Sequence, residues 1–236
     1  AVLAGGLGIR MGNTEVPKQF LPLGSKPVIV HTIEKFLLFE EINEILVLVP
    51  EAWVNYSMDI INKNISIEKS SKITVLTGGS TRNETIMKAV EYILENYGIE
   101  DDDFIITHDA VRPFVSYRII KENIEYVEEF GATDTVIPAV DTIVISKDAN
   151  VISEIPIRDH MFIGQTPQSF KIELLIKAYS RLTEEQKSIL SDAAKIFVLN
   201  DLPVKIVSGE EYNIKITTQY DLLLANAILE RAIKND

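Results

Sequence analysis

Apolar residues along the chain follow two alternating rhythms. Ile45–Val49, Ile73–Thr77 and Phe104–Thr107 are short β-branched runs, apolar along most of their length, as strands covered on both faces are. Between them, Pro27–Phe39, Ala52–Asn62 and Thr81–Tyr97 space their apolar residues with the helical period. Ser25 followed by Pro27 predicts a helix start, because proline suits the first helical turn. This alternation predicts a mostly parallel sheet with helices on both faces.

The rhythm changes after residue 134. Thr135–Ala139, Thr142–Ser146 and Val151–Ile155 read as short strands joined through the turn-rich Asp148-Ala-Asn150, with no helix between them. They predict an antiparallel arm inserted in the parallel fold. Helices return at Ile172–Arg181 and Glu184–Leu199, where Thr183 and Gln186 match a capping box. A strand at Val204–Val207, an extended piece at Ile214–Thr217 and a helix at Tyr220–Ala232 follow. The sequence carries no internal repeat or low-complexity tract, so the expectation is one domain, 1–236, with an arm. Its opening, Ala-Val-Leu-Ala-Gly-Gly, reads as the inside of a first strand, with a short stretch expected before residue 1.

Composition narrows the function. With 46% hydrophobic and 25% charged residues, the 236-residue chain is ordinary for a globular α/β domain. No apolar run approaches the roughly 18 residues of a membrane span. A net charge of -12 argues against nucleic acid, whose phosphates demand a basic face. Any phosphate chemistry must therefore be local, with a few Arg and Lys converging against the overall field. The absence of cysteine excludes disulfides and thiolate chemistry and is compatible with a cytoplasmic protein.

Three segments could carry such chemistry. Leu3-Ala-Gly-Gly-Leu-Gly-Ile-Arg-Met-Gly12 follows the first strand, and Gly5, Gly6 and Gly8 let successive backbone N–H groups point at a polyanion. A glycine-rich turn with no ligand is the bland alternative. The segment is not a P-loop, since no Gly-Lys-Ser/Thr follows. Nor is it a dinucleotide fingerprint: position 11 is Met, and the second strand ends in Val49-Pro50 without the required acid. What remains is a loop bearing Arg10, then Pro17-Lys-Gln-Phe20 with Lys18, cations suited to a transition state that gathers negative charge on phosphorus.

Thr107-His-Asp-Ala-Val-Arg-Pro113 places Asp109 where a carboxylate can hold Mg²⁺ together with substrate phosphates, and Arg112 where it can grip a phosphate. The bland alternative is that Asp109 caps the next helix or pairs with Arg112. His108, like His31 and His160, reads first as a packed histidine. In Gly78-Gly-Ser-Thr-Arg-Asn-Glu-Thr85, Ser80 and Thr85 offer hydroxyls beside Gly79, although a tight turn with an N-cap would look the same. Arg158, Gln165-Thr-Pro-Gln168 and Asn213-Ile-Lys-Ile-Thr217 are polar points whose spacing names no reaction.

Taken in order, Ala4-Gly-Gly-x-Gly-x-Arg-Met, Pro17-Lys-Gln, His108-Asp-Ala-x-Arg-Pro, Gln165-Thr-Pro-Gln and Asn213-Ile-Lys resemble the cytidylyltransferases that act on sugar-alcohol phosphates. The resemblance spans nearly the whole chain. It implies a Rossmann-like three-layer α/β/α nucleotidyltransferase fold that uses CTP and Mg²⁺. Two sister activities share the pattern, one on 2-C-methyl-D-erythritol 4-phosphate and one on D-ribitol 5-phosphate. Ala139-Val-Asp-Thr-Ile, Ile155–Phe170 and Leu190-Ser-Asp-Ala-Ala-Lys-Ile196 are closer to the ribitol branch, since the erythritol branch more often has Thr-Asp-Glu-Ala at 191–194.

By this resemblance Leu3, Ala4, Gly5, Gly6 and Gly8 line the CTP, and Arg10, Lys18 and Lys215 are the catalytic cations. Gly79, Ser80 and Thr85 surround the cytosine, while Asp109 and Ala110 sit at the ribose and Mg²⁺. Arg112, Thr142, Arg158 and Thr166 match positions that hold the polyol phosphate or the reacting phosphates. Ser80 replaces an acid common in the erythritol branch. The arm, about 138–163, is expected to embrace a second subunit of a homodimer, with Thr142 and Arg158 serving the partner's site.

Overall fold

The computed structural model describes residues 1–6 and 16–235, with side chains described to residue 231. Strand β1 (Val2–Leu3) precedes a small hairpin, β2 (Pro22–Leu23) and β3 (Lys26–Pro27), turned at Gly24 with φ 59°. Pro27 pairs with Pro22 in that hairpin, so α1 begins one residue later and runs Val28–Phe36. Then follow β4 (Ile45–Val49), α2 (Val54–Asn64), α3 (Ile67–Ser70), β5 (Ile73–Thr77), α4 (Arg82–Asn96), β6 (Phe104–Asp109) and α5 (Tyr117–Phe130). The second half holds β7 (Ala132–Pro138), β8 (Phe162–Lys171), α6 (Ile172–Ser180), α7 (Glu184–Ser188), α8 (Ala194–Val198), β9 (Lys205–Ser208) and α9 (Gln219–Asn235).

Seven strands form one sheet in the order β5-β4-β1-β6-β8-β7-β9. Only β8 runs against its neighbours; the β5-β4-β1-β6 and β7-β9 pairings are parallel. The strand period of two sorts β4 between two cores. Ile45, Val47 and Val49 pack with α1 and α2, whose Ile29, Ile33 and Ile61 share that cluster with Ile119 and Ile124 of α5. Leu46 and Leu48 face the other way, onto Ile86 and Val90 of α4 and Leu175 of α6. The expected three-layer α/β/α arrangement is thus formed.

Besides the small β2–β3 hairpin and the one-turn α3, sequence reading passed over two longer elements. Helix α5 has an N-cap at Ser116, whose hydroxyl accepts from the Ile119 N–H, and ends on Gly131 at φ 81°. Its buried Ile119, Ile120, Ile124 and Val127 keep the helical spacing. Strand β8 is less legible because Gly164 and Pro167 interrupt it and Gln165, Thr166, Gln168 and Ser169 are buried polar residues. Proline is tolerated there because the β7–β8 register shifts between Asp134 and Val136, a bulge that needs no ladder N–H from Pro167.

Other expectations change in detail. The predicted helix 184–199 divides into α7 and α8, because Asp192 leaves the helix to accept the Ala194 N–H (2.8 Å). The Thr183–Gln186 capping box is present. Ile214–Thr217 joins no sheet, although Ile216 is buried and its N–H bonds the Val111 carbonyl (2.9 Å). The arm leaves β7 and returns to β8, closed at its base by Ala139 N–H donating to Met161 O (2.9 Å). Its two predicted strands reduce to one bridge, Ile145 to Glu154.

Candidate active site

Strands β1 and β6 end side by side: the Ala110 N–H bonds the Leu3 carbonyl (3.0 Å), and Ala4 N–H bonds Leu48 O of β4 (2.8 Å). Here the strand order reverses, with the chain passing from β1 to β4 on one side and β6 on the other. Such a switch point leaves a crevice beyond the carboxyl ends of the strands. A cavity of about 340 Å³ occupies it. Its wall brings together Leu3, Ala4, Gly5, Gly6, Lys18, Gly79, Ser80, Thr85, Asp109, Ala110 and Lys215, all singled out from sequence. Gly8 and Arg10, with the rest of the loop to Gly12, lie outside the described residues.

Local hydrogen bonds explain why these short motifs have their composition. Gln19, nearly fully buried, donates its amide to the Ala4 carbonyl (2.7 Å) and so ties Pro17-Lys-Gln to the root of the glycine-rich segment. The neighbouring Lys18 passes along Gly6, where an added Cβ would lie 3.8 Å from its Cε. In the second segment the Thr85 hydroxyl accepts from the Gly79 N–H (3.0 Å) and donates to the Thr81 carbonyl (2.7 Å). A Cβ on Gly79 would stand 2.5 Å from Glu84 Cβ and 2.9 Å from the Thr85 nitrogen, so only glycine fits. The tight turn with an N-cap is real: the Thr81 hydroxyl accepts from the Glu84 N–H (3.1 Å). Glu84 in turn accepts the Ser80 hydroxyl and the Ser80 N–H (2.9 Å), so a carboxylate from the next turn stands at Ser80.

Asp109 is the electrostatic centre. Arg82 Nη1 contacts its Oδ1, while Lys215 Nζ (2.9 Å) and Arg112 Nε (3.4 Å) reach Oδ2. Burial alone would raise its pKa, but Arg82, Lys215 and Arg112 outweigh that and hold the carboxyl below the usual range. Arg82 is the residue that sequence reading missed. It sits in a segment already singled out, but its pairing with Asp109, 27 positions away, is a tertiary contact. Among the described residues of the cavity wall, Lys18, Arg82 and Lys215 outnumber the carboxylate of Asp109, giving a positive site in a chain of net charge -12.

Arg112 and Thr166 do not line this cavity. Arg112 donates Nη1 to the Asn213 carbonyl (2.7 Å), and its Nε faces Asp109. Thr166 accepts from the Asp109 N–H (3.1 Å) and bonds His108 Nδ1 (3.0 Å). With His108 Nε2 donating to the Arg112 carbonyl (3.1 Å), the chain of donors is closed. Burial pushes the His108 pKa down to about 3, so it is a neutral structural imidazole, as read from sequence. Thr142 and Arg158 lie on the arm, away from this cavity's wall.

Among the described residues no three His, Cys, Asp or Glu side chains converge as a metal cage. Asp109, whose Oδ1 meets Arg82 and whose Oδ2 meets Lys215 and Arg112, would have to share its oxygens to hold Mg²⁺, with the metal's other ligands coming from water and substrate phosphates. A larger cavity of about 520 Å³ opens at the amino ends of β1, β4 and β6. Its rim holds Glu41, Glu44, Glu100, Asp102 and Asp103, which would repel a polyphosphate.

A three-layer α/β fold with a glycine-lined, cationic cavity at the strand switch point defines a nucleotidyltransferase. The particular family follows from whole-chain comparison. The model described as IspD: 2-C-methyl-D-erythritol 4-phosphate cytidylyltransferase matches residues 1–231, and the chain belongs to that family. It is therefore a CTP-dependent cytidylyltransferase. The solved 4-diphosphocytidyl-2C-methyl-D-erythritol synthase of Anaerococcus prevotii is 27% identical, with a TM-score of 0.77 over 97% of this chain and 94% of that one. The 2-C-methyl-D-erythritol 4-phosphate cytidylyltransferases of Thermus thermophilus and Francisella tularensis are each 26% identical, with TM-scores of 0.71 and 0.74. They cover 98% and 96% of this chain, and 98% and 97% of their own. Among the described residues no helix is long and apolar enough to cross a membrane.

Proposed function

We propose that the cavity binds CTP and transfers CMP to the phosphate of a small polyol phosphate. The observation that carries this reading is the convergence of Lys18, Arg82 and Lys215 around ionised Asp109 beside Gly5 and Gly6. A phosphate oxygen of the acceptor attacks the α-phosphorus of CTP in line; the bond to the β-phosphate breaks and pyrophosphate leaves. The acceptor phosphate is already anionic at neutral pH, so no general base is required. Catalysis then consists of positioning and charge neutralisation. The backbone of Ala4, Gly5 and Gly6 cradles the triphosphate, and Lys18 and Lys215, with Arg10, neutralise the charge gathering on it. Asp109 would hold Mg²⁺, which when bound with CTP would stabilise charge on the phosphates. Gly79, Ser80 and Thr85 surround the cytosine. Because the Ser80 hydroxyl is donated to Glu84, Ser80 offers the base its oxygen as an acceptor.

Whole-chain similarity favours 2-C-methyl-D-erythritol 4-phosphate as acceptor, since the family and the Thermus thermophilus enzyme carry that substrate in their names and the Anaerococcus prevotii enzyme carries its cytidylylated form. Ser191-Asp-Ala-Ala194 and the run Ile155–Phe170 favour a second reading, D-ribitol 5-phosphate. Pyrophosphate release from CTP with each acceptor and with none separates them. Turnover with methylerythritol phosphate alone supports the first; turnover with ribitol phosphate alone replaces it by the second. Release with neither acceptor would refute the transfer reading. The apolar arm supports a homodimer in which Thr142 and Arg158 reach the partner's acceptor site, and a cytoplasmic setting would supply the CTP.

A further inference from the structure

The loop from Gly209 to Ile216 carries Lys215 but belongs to no helix or strand, so something else must fix the ammonium beside Asp109. Asn213 is fully buried in that loop. Its Nδ2 donates to Gln165 Oε1 (3.1 Å) and to the Thr166 carbonyl (2.9 Å), both at the β8 bulge. Its own carbonyl accepts Arg112 Nη1 (2.7 Å). Gln165 completes the clamp by pairing as a backbone would. Its Nε2 donates to the Glu210 carbonyl (2.9 Å), and its Oε1 accepts the Glu210 N–H (3.3 Å). The fit depends on Gly209, where a Cβ would lie 2.4 Å from Gln165 Oε1 and 3.0 Å from Ile137 Cγ2. On the far side, the Ile216 N–H bonds Val111 O (2.9 Å), so Lys215 is held between two anchored residues.

We infer that Asn213 is a positioning residue: clamped to Gln165 and Thr166 at the β8 bulge, it sets the Lys215 ammonium against Asp109 in the nucleotide cavity. This rests on the proposed transfer reaction and adds to it. Neither Asn213 nor Gln165 lines the cavity, so both act through Lys215. Buried amides that hydrogen-bond only to one another and to backbone have the exacting geometry such a support needs.

The test is a double-mutant cycle of Asn213→Ala with Lys215→Ala, read as kcat and KM for CTP by pyrophosphate release. Alone, Asn213→Ala should lower kcat roughly 10- to 100-fold, less than deletion of the cation itself at about 10²–10³. In the Lys215→Ala background it should cost no more than about 3-fold further, because residues acting as one unit are not additive. A full second loss in the double variant would overturn the positioning role. Should Asn213→Ala not fold, Gly209→Ala, which displaces the Gln165 amide, is read in the same cycle against the same two outcomes. If the wild-type protein releases no pyrophosphate with either acceptor, the transfer reading fails on its own. The cycle is then read on the CTP dissociation constant, where coupling supports the clamp and independent losses refute it.

Discussion

At the carboxyl ends of β1 and β6, charged side chains are withdrawn from water and paired with one another. Asp109, Arg112 and Lys18 are all buried there. Along the arm, residues 139–161, apolar side chains stand in water instead: Val140 is 70% exposed, Val151 67% and Ile157 66%. Both arrangements are costly for an isolated chain. Buried charge loses hydration unless paired, and a contiguous exposed apolar patch marks a surface meant to meet something else. The cavity has met most of its cost internally and offers its surplus positive charge to a polyanion. The arm has not, and the homodimer proposed above would cover those side chains.

This contrast breaks most sharply at Lys18. Lys18→Ala should lower turnover of CTP by about 10²–10³, the loss typical of one electrostatic donor to the transition state, while leaving the oligomeric state unchanged. Steady-state kinetics beside light scattering measures both. Turnover at the wild-type rate would remove Lys18 from the catalytic cations.

A smaller effect, and the converse pattern, is expected from the arm. Val140→Asp combined with Ile157→Asp should shift a dimer toward monomer in sedimentation and lower activity about 10-fold, through loss of interface area, with the melting of the core little changed. An unaltered sedimentation coefficient would show that the exposed apolar side chains serve no subunit contact.

These two regions also differ in how far sequence revealed them. The parallel half was legible because β4, buried on both faces, needs an unbroken apolar run; Ile45–Val49 appears with the bounds read from its residues, as does the half-buried edge strand Ile73–Thr77, whose β-branched residues marked it. The cavity's glycines and Lys18 were legible because each motif is contiguous. Arg82 and the Asn213–Gln165 clamp were not, since their partners are 27 and 48 positions away and no local period encodes such a pairing. Strand β8 was hidden by the same cause. Its polar residues serve partners on β6, β7 and the Lys215 loop, so the strand never shows the alternation that would announce it. Helix α5 is different: Ser116, the spaced isoleucines and Gly131 were all present in the sequence, and the omission was one of reading.

The least conspicuous consequence of the comparison concerns two aspartates. Gln168 of β8 donates its Nε2 to both Asp134 Oδ1 (2.9 Å) and Asp192 Oδ1 (2.7 Å). Burial, then the neighbouring Asp192 charge, raise the Asp134 pKa to about 7, against the opposing pull of Gln168 and Arg82. Asp148, at the arm's turn, goes the other way: the N–H groups of Val151 and Asn150 and the Ser146 hydroxyl lower it. An unfolded aspartate titrates near 3.9. Between about pH 4 and 7 the folded chain therefore keeps a proton on Asp134 that the unfolded chain has lost, and stability falls as pH rises, levelling above 7. His108, depressed to about 3 from roughly 6.5 when unfolded, contributes the opposite slope below pH 6.5. The wild-type curve alone thus conceals both, and the difference between variant and wild type isolates Asp134. Asp134→Asn removes the titration but can still accept from Gln168. Its Tm relative to wild type should rise by a few °C between pH 5 and 7.5, since about 1 kcal/mol moves Tm by roughly 2–4 °C at this size. Asp148→Asn, whose group is ionised in both states across that range, should show a difference independent of pH. A constant Asp134→Asn difference from pH 5 to 7.5 would mean that this carboxylate titrates alike folded and unfolded, and that its buried surroundings are no drier than the arm.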